Sequence, residues 1–214
     1  AATLLLWILF GVYTTGSLTT TMIPYLLAAA VILWVVKTLR LSSDHKSSRL
    51  PCMADAVLSL GLAWLAMVSL RDQMGVQHLM LALLMVWSAD SFAYFGGKRF
   101  GKTKLAPGIS PGKTREGVAS GMLAAMVVAV IYTHFMIAPI ASFMQLLLIL
   151  FVSALVALIS VVGDLSESKL KRAAGKKDSG HLIPGHGGIL DRIDGLIAGV
   201  VLYAFYMILV TQAA

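Results

Sequence analysis

Apolar residues in this chain arrive in blocks of about twenty, and that spacing admits one broad kind of fold. A bilayer's hydrocarbon core is about 30 Å thick, which an α-helix crosses in roughly twenty residues. Apolar segments fall at about 1–15, 22–39, 53–70, 78–95, 118–137, 143–163 and 193–211. Lipid cannot satisfy exposed peptide groups, so such segments must be helical. The expectation is an all-α, polytopic integral membrane protein with about seven transmembrane helices. Composition agrees, since 58% of the 214 residues are hydrophobic and 13% charged, far from the balance of a soluble domain. The lone Cys52 excludes an intrachain disulfide framework and a four-cysteine metal site. The chain opens on Ala1 inside an apolar run without a basic leader, which reads as the interior of an earlier membrane segment and implies a longer parent sequence.

The formal charge is +7, and its distribution matters more than its size. Lys37, Arg40, Lys46 and Arg49 surround one connection, six basic residues occupy 98–115, and a third group runs from Lys169 to Lys177 with Arg192 beyond. Sixteen of seventeen basic residues therefore lie on one side of the alternating segments, Arg71 being the exception. The positive-inside tendency puts those connections in the cytoplasm, with the C-terminus outside after seven crossings. Anionic lipid and anionic substrate suit this charge better than nucleic acid, because the bases sit in loops between membrane segments. For Lys37 to Arg49, orientation alone is a sufficient explanation.

The longest polar excursion carries more than orientation requires. Asp164 ends an apolar segment, with Glu167 and Ser168 three and four residues on, a spacing that shares one helical face. Asp191 and Asp194 repeat that spacing at the start of the last segment. Carboxylates gathered beside lipid are costly unless a cation neutralises them. Mg²⁺ suits the set Asp164, Glu167, Asp191 and Asp194, because it takes hard oxygen ligands and shares them with phosphates. Lys169, Lys171, Arg172, Lys176, Lys177 and Arg192 outnumber the five nearby acids, and the surplus, with Lys171, Arg172, Lys177 and Arg192 as its candidates, can hold phosphate oxygens. Glycines 175, 180, 185, 187 and 188 permit tight turns in the same stretch, although no Walker A pattern is present. His186 suits a hydrogen bond to phosphate or nucleotide; the absence of an HExxH pattern or a cysteine companion speaks against zinc at His181 or His186.

A second polar stretch, Trp87 to Gly117, continues this chemistry. Asp90 lies within an otherwise apolar segment, where an ionisable group is a functional candidate. Lys98, Lys102, Lys104, Lys113 and Arg115 form a basic approach, with Ser110 and Thr114 as phosphate donors, and Lys98, Lys104, Ser110 and Lys113 are the residues assigned to the nucleotide. Trp87, Phe92, Tyr94 and Phe95 are read as packing or interface aromatics.

The run SKLKRAAGKKDSGHLIPGHGGILDRID, from Ser168 to Asp194, resembles without an evident gap the signature of phosphatidate cytidylyltransferases, also called CDP-diacylglycerol synthases. The preceding GDLSE and the upstream ADSFAYFGGKRFGKTKLAPGISPGKTREG resemble the same family. The resemblance implies transfer of CMP from CTP to phosphatidic acid, a requirement for Mg²⁺ with a possible second cation, and a homodimer in the plasma (inner) membrane with its site facing the cytoplasm. It implies metal coordination by Asp164 and Asp191, with Asp194 in the same polar centre. Residues 1–50 are then N-terminal membrane segments of a truncated region, and 51–214 the catalytic membrane region with polar loops at about 96–117 and 164–192. CTP-dependent activation of another lipid alcohol or phosphate is the main alternative, and a membrane transporter a weaker one.

Overall fold

The computed structural model describes residues 22–40, 49–173, 175, 188 and 190–213, and excludes the side chains of residues 40, 49–53, 173, 191, 192 and 213. The expected segment at 1–15 lies outside the described residues. Helix α1 spans Ile23–Arg40, α2 Arg49–Ser69, α3 Val76–Phe100, α4 Arg115–Tyr132, α5 Phe143–Ala173 and α6 Leu190–Ala213. Among the described residues five helices are long and apolar enough to cross a membrane, and α1 adds a shorter apolar one. The protein is a polytopic helical membrane bundle.

The helix ends have local causes. Pro24 falls in the first turn of α1, where its missing N–H costs no hydrogen bond. A π-helical turn at Leu70–Met74 extends α2 and stops at Gly75, whose φ of 89° suits glycine. A second π-helical turn, Thr133–Ile137, ends α4 before extended Ala138, the conformation that Pro139 imposes on its predecessor.

Helix α5 differs from expectation. Its apolar run stops at about residue 163, yet the helix continues to Ala173, 31 residues in all. Glu, Lys, Leu, Arg and Ala are good helix formers, and Glu167 pairs with Lys171 one turn on. A helix of that length reaches about 46 Å, so its polar end projects beyond a bilayer core of about 30 Å. Past it, Gly175 donates its N–H to the Arg172 carbonyl at 3.0 Å.

Helix α6 runs through the middle of the bundle, against α1, α2, α3 and α5. Ala198, Val200, Val201 and Ala204 are fully buried, so residues on several sides of this helix meet protein. On α4, Leu123, Val127 and Ile131 recur at four-residue spacing and face outward, as lipid-contacting positions should.

An ion pair joins α1 to α2. The Lys37 ammonium lies 3.0 Å from Asp55 and donates to Ser59 Oγ at 2.7 Å, with the Trp34 ring 4.2 Å away. The expected role in orientation does not account for a lysine only 15% exposed and so fully engaged. Lys37→Met is expected to cost about 1–3 kcal/mol, because Asp55 loses its counter-charge where water reaches it poorly. Thermal unfolding in detergent measures this, and adding Asp55→Leu should recover part of the loss.

The stretch between α3 and α4 is a two-stranded antiparallel hairpin, a small β element among described residues that are mostly helical. Strand β1, Lys104–Ala106, pairs with β2, Ser110–Thr114, with Lys104 opposite Thr114 and Ala106 opposite Ser110 and an irregularity between. Pro107 and Gly108 form its tip, closed by Ile109 N–H donating to the Ala106 carbonyl at 3.1 Å. Its base is fixed to α4. Thr114 caps that helix by accepting from Gly117 N–H at 3.1 Å, and Glu116 accepts from the backbone N–H groups of Lys102 and Thr103.

Candidate active site

Glycines bring the site's helices together. A Cβ added at Gly163 would meet the Asp194 carbonyl oxygen, so α5 and α6 touch backbone to backbone beside Asp164. At Gly195 an added Cβ would lie 3.2 Å from the Ser160 carbonyl and 3.6 Å from Asp90 Oδ2, which draws α3 to the same point. Helices α3 and α4 approach comparably, with an added Cβ at Gly117 only 2.7 Å from the Ala93 carbonyl oxygen and 3.1 Å from Gly97 Cα. Small residues permit such approach between membrane helices, where packing replaces the hydrophobic drive.

The result is a cavity of about 770 Å³. Its lining carries three acids, Asp90 from α3, Asp164 from α5 and Asp194 from α6. It also carries Lys98 from the end of α3, and Lys104, Lys113 and Ser110 from the hairpin. Of the expected phosphate contacts in the second polar stretch, Lys98, Lys104, Ser110, Lys113 and Thr114 share one space with two of the expected carboxylates, whereas Lys102 and Arg115 are not part of its lining. The volume falls within the range of small-molecule sites.

Both oxygens of Asp164 are engaged. Oδ2 lies 2.7 Å from the Lys113 ammonium, and Oδ1 accepts from Ser168 Oγ at 3.2 Å. Asp194 Oδ1 accepts from the Gly195 N–H at 2.7 Å. Glu167 lies beside Asp194. It lines a separate cavity of about 60 Å³ together with Lys37, Asp55 and Ser166, and Asp194 belongs to the walls of both cavities. Its carboxylate is buried beside the Asp194 carboxyl, with the Lys171 ammonium at 3.6 Å. Arg172 is exposed at the end of α5.

Asp191 and Arg192 lie in the first turn of α6, their side chains outside the described residues, as are Lys177, His181 and His186 entirely. Among the described residues no group of three or more His, Cys, Asp or Glu is placed to hold a metal ion. The donor chemistry nevertheless fits a hard divalent cation, since Asp90, Asp164 and Asp194 offer carboxylate oxygens beside a space large enough for phosphates.

Asp90 is the residue the candidate ligand set omitted. Its signal is an ionisable group within an apolar helix, and the structure brings it into the same cavity as Asp164 and Asp194. Lys37 and Asp55 were missed differently, since nothing in the local pattern tied them to the neighbourhood of Asp194.

Known proteins place this arrangement in a family. A phosphatidate cytidylyltransferase of Haemophilus influenzae is 47% identical over 132 residues, covering 62% of this chain and 46% of that protein. Those of Bacillus subtilis and Pseudomonas aeruginosa are 39% and 40% identical, covering 78% and 83% of this chain and 62% and 67% of their own lengths. The chain thus spans about half to two thirds of the length of these relatives. The sequence pattern of the Cytidylyltransferase family matches residues 1–210, and with the acid and base cavity built from its most distinctive polar stretches, the chain belongs to that family.

Proposed function

We propose that this chain carries the reaction centre of a phosphatidate cytidylyltransferase, which transfers CMP from CTP to phosphatidic acid and yields CDP-diacylglycerol and pyrophosphate. The supporting observation is one cavity lined by Asp90, Asp164 and Asp194 together with Lys98, Lys104 and Lys113, set in a bundle of helices apolar enough for lipid. Such a site suits a polyanion bound with a hard cation, while the acyl chains of the acceptor stay in the bilayer.

In the reaction a phosphate oxygen of phosphatidate bonds to the α phosphorus of CTP. The bond from that phosphorus to the oxygen bridging the β phosphorus breaks, and pyrophosphate leaves with the electron pair. The attacking oxygen is already anionic, so no strong base is required. The barrier is alignment and repulsion between two polyanions, which fixed positive charge lowers. Lys98, Lys104, Lys113 and Ser110 take triphosphate oxygens in this reading, and Lys171, Arg172, Lys177 and Arg192 screen the transferring phosphorus and the leaving group. His186 adds a hydrogen bond to the nucleotide. Asp164, Asp191, Asp194 and Glu167 are the proposed holders of Mg²⁺ and of a possible second cation; the metal supplies charge neutralisation among the phosphate oxygens.

The proposed topology has seven crossings of the plasma (inner) membrane, with the basic connections and the site on the cytoplasmic side, where CTP is found. The same charge would attract anionic lipids, without any nucleic-acid partner, and the protein would act as a homodimer. The test incubates the protein with CTP and phosphatidate and weighs the lipid product by mass spectrometry. CDP-diacylglycerol should form only with both substrates and stop with EDTA. Pyrophosphate release from γ-labelled CTP at the same rate without phosphatidate would refute the acceptor chemistry, and preference for a lipid alcohol would favour the related activation reaction.

A further inference from the structure

We propose that Lys113 is an internal stand-in cation, holding Asp164 until a divalent metal and a triphosphate arrive together and then passing to the phosphate. This rests on the reading of Asp164 as a carboxylate that receives the metal. With Oδ2 2.7 Å from Lys113 and Oδ1 hydrogen-bonded to Ser168, an incoming cation at Asp164 must compete with an ammonium already in place. Ser168 is neutral and can stay bound while a metal shares the carboxylate; Lys113 cannot, since two cations would crowd one oxygen.

The hairpin is built for such an exchange. Its base is anchored through Glu116 to the Lys102 and Thr103 N–H groups and by Arg115 N–H to the Thr103 carbonyl at 2.9 Å. Around Gly108 and Gly112 there is open space, with nothing within 4 Å of an added Cβ. The strand can therefore stay paired while the flexible lysine stem swings, and Lys113 lines the same cavity that would hold the triphosphate. Metal alone meets a competitor, nucleotide alone meets a lysine engaged elsewhere, and the two together release each other's obstacle. The expected result is positive coupling between metal and nucleotide, equal in both directions by linkage.

Mn²⁺ binding to the full chain in detergent, followed by electron paramagnetic resonance without nucleotide, tests this. Lys113→Gln should bind Mn²⁺ about threefold to tenfold more tightly than wild type, because removing an ion pair and a nearby like charge both favour the metal. The same variant should bind CTP more weakly and lose most of the tightening of Mn²⁺ that CTP produces. Lys113→Arg keeps the charge and should stay within about twofold of wild type, which separates charge from any folding defect. Mn²⁺ binding to Lys113→Gln that equals or falls below wild type would overturn the proposal while Asp164→Asn still abolishes it. Binding insensitive to Asp164→Asn would instead overturn the assignment of the metal to Asp164, and the stand-in role with it.

Discussion

Asp164→Asn is expected to slow CDP-diacylglycerol formation by about 10²- to 10³-fold, the loss typical when one preorganised charge is removed from a polar reaction centre. The change is nearly isosteric and leaves an oxygen able to accept from Ser168, so the local fold should survive. What disappears is the negative charge that faces Lys113 at 2.7 Å. Product formation at saturating CTP and phosphatidate, with a matching unfolding midpoint in detergent, separates the chemical from the structural effect. Retained wild-type turnover and unchanged dependence on Mg²⁺ would remove Asp164 from the site. Asp191→Asn extends the comparison to the other signature carboxylate.

Gly163→Val should be nearly as damaging to turnover, through geometry rather than charge. Any Cβ at this position meets the Asp194 carbonyl oxygen, and the Ala198 methyl would lie 3.1 Å away. Backbone cannot yield as a side-chain tip can, so α5 and α6 must separate where Asp164 and Asp194 face the cavity. Overpacking of this kind costs about 1–3 kcal/mol of stability. A displacement near 1 Å at a reaction centre costs roughly 10²-fold in rate. The unfolding midpoint and turnover should therefore both fall, and turnover below the unfolding temperature should fall far more than the folded fraction does. A variant that keeps full turnover would show that the two acids need not be held at this distance.

The polar residues were more legible than their arrangement. Asp90 announced itself as a charge within an apolar helix, and the bases of the second stretch read as a phosphate approach; the structure gathers Lys98, Lys104, Ser110 and Lys113 around one cavity with Asp164 and Asp194. The hairpin that carries three of them was read as loop. Strands of three and five residues, with Pro111 and Gly112 inside the second and Pro107 and Gly108 between them, are too short to establish a two-residue period. The extension of α5 to Ala173 was equally hidden, because hydropathy ends where lipid ends while the helix continues on propensity and on the Glu167 and Lys171 pair. Spacing placed Asp164 and Glu167 on one helical face, about 60° apart around the axis, yet the two open into different cavities, with Asp194 lining both. The contact of Lys37 with Asp55 depends on which faces of α1 and α2 meet, information no single segment contains.

Asp164 and Asp194 each stand next to a glycine at the point where their helices touch. Their separation is therefore gauged by main chain, the least compressible part of a helix, and owes little to the size of nearby side chains. The rest of the bundle is free to exchange one apolar residue for another, and the bilayer to vary in acyl composition, without retuning the distance between the charges. A reaction centre so built, if it carries the proposed transfer, can keep one chemistry across lipids of many kinds.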